Sequence, residues 1–289
     1  MQILDGKKLQ ERILAEVKSE LEKLEFQPLF CDVLVGEDPA SVQYVKMKAR
    51  TAESVGIKFH NANFPENIET AELITELKKL NKIKNMCGLI IQLPLPPHID
   101  RQATLDAVDP EIDVDCLGTV ASGKFYSGDT AIGYPTVLAC MALIDYLVDS
   151  LNLDLKDKNV VVLGQGQLVG KPVTALLKFR GLNPEVVTSK TPNKEKIIKE
   201  ADVIISGIGR GKYITSDMIK QDAVLIDAGT SENGGGPAGG GASIVGDVDL
   251  ESVREVAGFV SPVPGGVGPV TVAMLLRNVL KVAKKKQIA

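Results

Sequence analysis

A serine, a tyrosine and a lysine fall close together in Ser41-Val42-Gln43-Tyr44-Val45-Lys46-Met47-Lys48. If this stretch is helical, Tyr44 and Lys48 form an i, i+4 pair on one face, with Ser41 one turn earlier beside them. A phenol offers a flat surface to a conjugated ring, and an amine desolvated by burial gives up its proton more readily and can activate water near neutral pH. A second candidate is Gln92, where the apolar run Gly88-Leu89-Ile90-Ile91-Gln92-Leu93 meets Pro94-Leu95-Pro96-Pro97. Ligands of parallel α/β sheets sit at the carboxyl ends of strands, which is where Gln92 falls. The third is Val160-Val161-Val162-Leu163 followed by Gly164-Gln165-Gly166-Gln167-Leu168-Val169-Gly170. Strand, glycine-rich turn and helix start place a pyrophosphate on backbone N–H groups, although this GxGxxxG spacing is one residue longer than the usual fingerprint. Taken singly, the three also read as a solvated helix face, a polar residue leaving a strand and a tight turn.

These residues need elements to hold them. Leu9, Ile13, Leu14, Val17, Leu21 and Leu24 recur at helical spacing, and the apolar run 29–35, closed by Gly36, predicts a strand. The Tyr44/Lys48 helix follows the breaker Glu37-Asp38-Pro39, and then come a strand over 57–64, a helix over 70–80 and a buried strand over 86–93. From Pro110-Glu111-Ile112-Asp113-Val114-Asp115 through Gly133 the periodicity lapses, which suggests a domain boundary. A helix over 135–148 leads into strands at 160–163, 185–188, 203–206 and 224–226, alternating with helices at 169–179, 192–199 and 216–220. Such alternation argues for an α/β fold with a doubly wound parallel sheet. The run Gly234-Gly235-Gly236-Pro237-Ala238-Gly239-Gly240-Gly241 reads as a flexible loop. A last helix over 270–282 carries Val272, Leu275, Leu276, Val279 and Leu280 on one side and is expected to return to the first domain.

Composition narrows the function classes. At 289 residues two domains are the prior, and a net charge of −4 leaves no basic footprint for nucleic acid. Cys31, Cys87, Cys116 and Cys140 stand in no CxxC or Cys/His spacing, so neither a metal site nor a disulfide framework is expected. Met1-Gln2-Ile3-Leu4-Asp5 is not a basic segment leading into an apolar run, and no apolar stretch reaches membrane-spanning length. The expectation is a cytoplasmic protein with neither membrane nor nucleic-acid partner.

Tyr-x-x-x-Lys beside a dinucleotide turn also occurs in short-chain dehydrogenases, but there the turn comes first, and here it follows. The order found here is SxxYxxxK, GLIIQLPLP, Asp113-Val114-Asp115, the glycine-rich turn, Val245-Gly246-Asp247-Val248, then Ser261-Pro262-Val263-Pro264-Gly265-Gly266-Val267-Gly268-Pro269-Val270-Thr271. In that order the chain resembles the bifunctional methylenetetrahydrofolate dehydrogenase/cyclohydrolase family over essentially its whole length. The resemblance implies a catalytic α/β domain of residues 1–118 completed by the C-terminal helix 268–289, a Rossmann-type dinucleotide-binding domain at 119–267, and a folate cleft where they meet. It implies a homodimer, tetrahydrofolate-derived substrates and a place in one-carbon metabolism. Hydride would leave methylenetetrahydrofolate for a nicotinamide, and water would convert the methenyl product to formyltetrahydrofolate. Residue by residue, Tyr44 would stack on the pterin, Lys48 would handle the proton, Gln92 would bond and tune Lys48, and Asp115 would hold the pterin's amino and ring nitrogens. Ser41 would support this group, and Pro264, Gly265 and Gly266 would line the nicotinamide side. Gly164, Gln165, Gly166, Ser189, Lys190 and Thr230 would hold the cofactor.

Several positions depart from the family pattern. Asp-Val-Asp-Gly becomes Asp113-Val114-Asp115-Cys116, Pro-Cys-Thr-Pro becomes Tyr134-Pro135-Thr136-Val137, Gly-Arg-Ser becomes Gly164-Gln165-Gly166, and Gly-Ile-Asn becomes Gly229-Thr230-Ser231. Losing the arginine removes a charge partner for a ribose 2′-phosphate and favours NAD. Against that, Val186-Val187-Thr188-Ser189-Lys190-Thr191 has no acidic residue for a free 2′-hydroxyl, while its hydroxyls and Lys190 suit a phosphate. NADP is therefore expected, with NAD as the alternative. The competing readings are a dehydrogenase with weak hydrolysis, because Cys116 and the altered turn displace Lys48, and a non-catalytic folate or nucleotide-binding module.

Overall fold

Two sets of apolar runs set the architecture, seen in a computed structural model that describes residues 1–151, 154–233 and 243–288. The glycine-rich run 234–241 lies outside the described residues. The first half runs β1 (Gln2–Ile3), α1 (Gly6–Leu21), β2 (Leu29–Val35), α2 (Pro39–Val55), β3 (Lys58–Phe64), α3 (Thr70–Leu80), β4 (Met86–Ile91), α4 (Arg101–Leu105), α5 (Thr119–Tyr126) and α6 (Pro135–Leu151). The second runs β5 (Val160–Leu163), α7 (Gly170–Phe179), β6 (Glu185–Val187), α8 (Lys194–Glu200), β7 (Val203–Ser206), β8 (Val224–Asp227), β9 (Ser231–Asn233), β10 (Ser243–Val245), β11 (Phe259–Ser261) and α9 (Val267–Ile288). No helix among the described residues is long and apolar enough to cross a membrane.

Backbone contacts divide the chain into two compact units, one of residues 11–135 with 272–289, the other of 1–10 with 136–271. The family resemblance implies boundaries at 118/119 and 267/268. The first ten residues sit with the second unit because β1 pairs in parallel with β11, where the Leu4 N–H donates to the Val260 carbonyl at 2.8 Å.

In the unit of 11–135 and 272–289, β2 is the middle strand of a parallel sheet ordered β3-β2-β4. Every residue of β2 and β4 is buried, as expected for parallel strands covered on both faces. The C-terminal part of α9 packs against β4 at Gly88, where an added Cβ would lie 2.7 Å from Val279 Cγ2. Asn278 fastens it further, its Nδ2 donating to the carbonyls of Val114 (2.9 Å) and Gly133 (2.7 Å).

The other unit holds a six-stranded parallel sheet ordered β1-β11-β8-β7-β5-β6. After β5 the chain builds outward to β6 and then returns to β7 on the opposite side, so the switch point, where such sheets bind ligands, is the carboxyl end of β5. Val161, Leu163, Ile204, Leu225 and Val260 form its core with Ile198, Ile214 and Val253.

Two expectations need correction. The helix expected over 216–220 is a single 3₁₀ turn, Ser216–Met218, after which Ile219 leaves in an extended conformation and is fully buried. Conversely, α5 lies inside the stretch of lapsed periodicity. It buries only Ala121 and Phe125 and contains Gly123, so it carries no amphipathic pattern to read.

Gly6 is fixed by close approach. The Gly6 N–H donates to the Gly265 carbonyl at 2.9 Å, and an added Cβ would sit 1.8 Å from the Gly266 carbonyl oxygen. Gly6→Ala is expected to destabilise by about 1–3 kcal/mol through overpacking. Gly123→Ala, whose Cβ meets nothing within 4 Å, should be neutral or stabilising. Denaturant midpoints of the two variants, measured together, check this contrast.

Candidate active site

The helix bearing the lysine is locked in phase at its first turn. Asp38 caps α2 by accepting the Ser41 N–H at 2.8 Å, and Pro39 occupies the first turn, where its missing N–H costs nothing. That phase turns Ser41, Val45, Lys48, Ala52 and Val55 inward. Lys48 is only 2% exposed. Its Nζ lies 2.6 Å from Asp32 Oδ2, donates to Gln92 Oε1 at 2.8 Å, and stands 4.8 Å from the centroid of the half-buried Tyr44 ring. Gln92 is held in turn. Its backbone N–H donates to the Val33 carbonyl at 2.8 Å, and its Nε2 donates to the Leu93 carbonyl at 2.6 Å, which leaves Oε1 for the lysine.

Asp32 was not singled out from the sequence, yet a signal was present. It is the one charged residue in Leu29-Phe30-Cys31-Asp32-Val33-Leu34-Val35, and a carboxylate in a buried middle strand needs a partner. Burial pushes its carboxyl above the usual range, while the charge and hydrogen bonding of Lys48 oppose that rise.

Asp115 is placed by its neighbour Asp113, whose Oδ1 accepts the Cys116 N–H (2.9 Å) and whose Oδ2 accepts the Gly118 N–H (2.8 Å). Cys116 stands where the family pattern has glycine, and it adopts φ +62°, the left-handed region that glycine favours. The substituted residue therefore takes up the strain and buries its thiol, being 1% exposed. Burial raises the half-buried Asp115 carboxyl to about 7; Lys48 opposes the rise, and Asp113 and Asp32 add to it. Burial first, then Asp115 and Asp32, push the Tyr44 phenol upward. In the other departure, Tyr134 packs edge-on against Phe125 and donates to Ser122 Oγ at 3.0 Å, and Pro135 opens α6.

Ser41, Tyr44, Lys48, Gln92 and Asp115 thus belong to one unit, and the residues read as cofactor-binding belong to the other. Gly164 has φ +89°, and a Cβ on Gly170 would lie 2.1 Å from the Gly164 carbonyl oxygen, so both glycines shape the turn. A Cβ on Gly166 meets nothing within 4 Å, which leaves room for a phosphate beside the start of α7. Gln165 is folded onto its own loop, its Nε2 donating to the Gly164 carbonyl (2.8 Å) and Thr174 Oγ1 (3.1 Å). Ser189 and Lys190 are exposed beyond β6 on a turn closed by Thr191 Oγ1, which accepts the Thr188 N–H at 2.9 Å. Thr230 is exposed after β8. Gly265 has φ +105° in the turn that contains Pro264 and Gly266.

Two buried carboxylates hold the loops at the carboxyl ends of β7 and β8, and the sequence reading gave neither this role. Asp247 accepts from Ser206 Oγ (2.7 Å) and from the N–H groups of Ile208 (2.8 Å) and Arg210 (2.7 Å). Asp227 accepts from the N–H groups of Gly229 (2.9 Å), Asp247 (3.1 Å) and Val248 (2.9 Å). Burial raises the Asp227 carboxyl to about 6 against these bonds.

Residues 4–115 match the catalytic domain of tetrahydrofolate dehydrogenase/cyclohydrolase, and residues 136–287 match the NAD(P)-binding domain of the same enzymes. The chain belongs to the tetrahydrofolate dehydrogenase/cyclohydrolase family. It is 40% identical to a bifunctional protein FolD of Nitratiruptor sp., covering 99% of both chains, and 41% identical to that of Nautilia profundicola, covering 98% of both. Among solved structures, the bifunctional FolD of Campylobacter jejuni is 34% identical with a TM-score of 0.90 over 99% of both chains. The Trypanosoma brucei enzyme, solved with NADP and an inhibitor, is likewise 34% identical with a TM-score of 0.90, over 99% of this chain and 98% of that one. As a member of this family, the chain is a dehydrogenase and cyclohydrolase of tetrahydrofolate derivatives with an NAD(P)-binding domain.

Proposed function

We propose that the chain oxidises 5,10-methylenetetrahydrofolate to the methenyl compound with NADP and then hydrolyses that product to formyltetrahydrofolate. The observation that carries this reading is Lys48, a buried lysine gripped by a carboxylate and an amide beside an aromatic ring. Tyr44 supplies the flat surface for the pterin, and Ser41, buried one turn earlier, supports it. Asp115 accepts from the pterin's two neighbouring N–H donors, as a carboxylate suits. Lys48 takes a proton from the water that adds to the methenyl carbon, and Gln92 fixes where its Nζ stands. The bound nicotinamide supplies a hydride acceptor. Gly164, Gln165 and Gly166 seat its pyrophosphate, Ser189, Lys190 and Thr230 flank the ribose, and Pro264, Gly265 and Gly266 bring backbone close to the ring.

NADP is favoured over NAD by Lys190, whose exposed position beyond β6 has no carboxylate beside it in Thr188-Ser189-Lys190-Thr191. The NADP complex of the T. brucei relative agrees with that choice. Lys190→Glu should lower kcat/KM with NADP by about tenfold to a hundredfold and spare NAD. Steady-state assays with both nucleotides decide it; equal losses, or a wild type that prefers NAD, sink the assignment.

The two reactions separate by absorbance. Mixing protein, methylenetetrahydrofolate and each nicotinamide in turn should show reduced nicotinamide appearing, then the methenyl chromophore decaying faster than it does without protein. A methenyl product that persists would point instead to a dehydrogenase with little hydrolysis. A homodimer is also proposed, consistent with β3, whose outer edge pairs with no strand among the described residues; sedimentation equilibrium checks it.

A further inference from the structure

Asp32 has no place in the roles assigned so far, and its position is costly. It is fully buried in the middle strand, its Cα level with Asn61 of β3 and Ile90 of β4. Its charged contact is Lys48 Nζ, 2.6 Å from Oδ2, and Oδ1 has no hydrogen-bond partner among the described residues. An apolar side chain would serve the packing of such a strand without the cost of desolvating a carboxylate. We propose that Asp32 is a positioning residue that keeps Lys48 in its ammonium form, and so sets the pH at which hydrolysis turns on without governing hydride transfer.

The argument rests on the proton-accepting role given to Lys48 above. An ammonium has no lone pair, so water attack on the methenyl carbon requires the amine, while hydride transfer requires no proton exchange at this nitrogen. A carboxylate in contact with a buried ammonium favours the charged form. The other groups that face the pair are the Tyr44 ring and phenol from α2, Gln92 at the end of β4, and Asp115 from the segment after Asp113, with the Cys31 thiol beside Asp32 on β2. None of these is a cation, and Asp115, when ionised, acts in the same direction as Asp32. Burial pushes the Asp32 carboxyl upward and Lys48 opposes that rise, as expected for two ionisable groups in direct contact.

The test is the pH profile of each half-reaction for wild type, Asp32→Asn and Asp32→Val, with uncatalysed hydrolysis subtracted. The acid limb of methenyl hydrolysis should move down by about 1–3 pH units in both variants. At a pH on the wild-type limb they should therefore hydrolyse at least about tenfold faster, while hydride transfer keeps its wild-type profile. A uniform loss with an unmoved limb would show Asp32 to be structural and overturn the proposal. Wild-type-like hydrolysis by Lys48→Met would overturn the underlying reading instead, whatever Asp32 does. Should neither Asp32 variant fold, carboxyl-13C NMR of labelled wild type, assigned by difference with Lys48→Met, remains: the Asp32 signal should step at the pH of the acid limb, and a signal unchanged across it overturns the proposal.

Discussion

Lys48→Met should lose methenyl hydrolysis by about 10²- to 10⁴-fold, the range associated with removal of a proton-transfer group, while hydride transfer suffers far less. Methionine keeps much of the lysine's volume and flexibility, so the pocket beside Tyr44 stays filled. It also leaves the Asp32 carboxylate buried without its cation, and breaking one side of a buried pair destabilises by about 3–5 kcal/mol unless the carboxyl protonates. Stability and chemistry therefore have to be measured separately. The double variant Asp32→Asn/Lys48→Met should recover melting temperature without recovering hydrolysis. A single variant that hydrolyses the methenyl compound near the wild-type rate refutes the role of Lys48, and a double variant that regains activity would show that the single one failed through instability.

How much of this was legible in the sequence varies with the kind of signal. The α2 face was readable because Asp38, Pro39 and the i, i+4 spacing fix a helix and its phase locally, before any tertiary contact exists. Gln92 was readable because an apolar strand running into prolines ends at a defined place, one residue after Ile91. Asp32 was overlooked because strand periodicity is read from the apolar residues around it, and its partner lies on another element, sixteen positions on, where only the packed sheet brings them together. The loop-holding carboxylates are similar: Asp247 bonds to Ser206, Ile208 and Arg210 across a long sequence separation that no local pattern encodes. Short elements fared worst. The pairing of β1 with β11 covers two residues, and α5 buries one aromatic and one alanine, so neither leaves a periodic trace. Cys116 marks the opposite case, since the departure from glycine was visible but not its consequence. The structure keeps the Cys116 backbone in the left-handed conformation, with the Asp113 bonds around it.

Folate affinity should fall as pH drops below about 7, and Asp115 should be the cause. Its carboxyl is raised to about 7 in the ligand-free chain, first by burial and then by Asp113 and Asp32, against the opposing charge of Lys48. A pterin presenting two N–H donors binds the ionised carboxylate. Below the raised value the group is protonated, so binding must expel a proton, and Kd should rise by about tenfold for each pH unit until the pKa of the complex is reached. Stability has the same origin and its own sign. An unfolded aspartate ionises near 3.9, so between about 4 and 7 the folded chain holds a proton that the unfolded chain has lost. Asp115 thus favours folding most at low pH, and its contribution is lost as pH rises through that window. Asp115→Asn removes the titration and should flatten the Kd profile, with a melting-temperature advantage over wild type that grows from pH 5 to pH 8. Asp115→Ala, with no acceptor at all, should weaken folate far more than NADP, whose turn at Gly164 is untouched. Calorimetry in two buffers of different ionisation enthalpy counts the released proton directly. A pH slope that survives in Asp115→Asn would assign the titrating group to the Asp32–Lys48 pair instead, and a flat wild-type profile would remove Asp115 from pterin recognition.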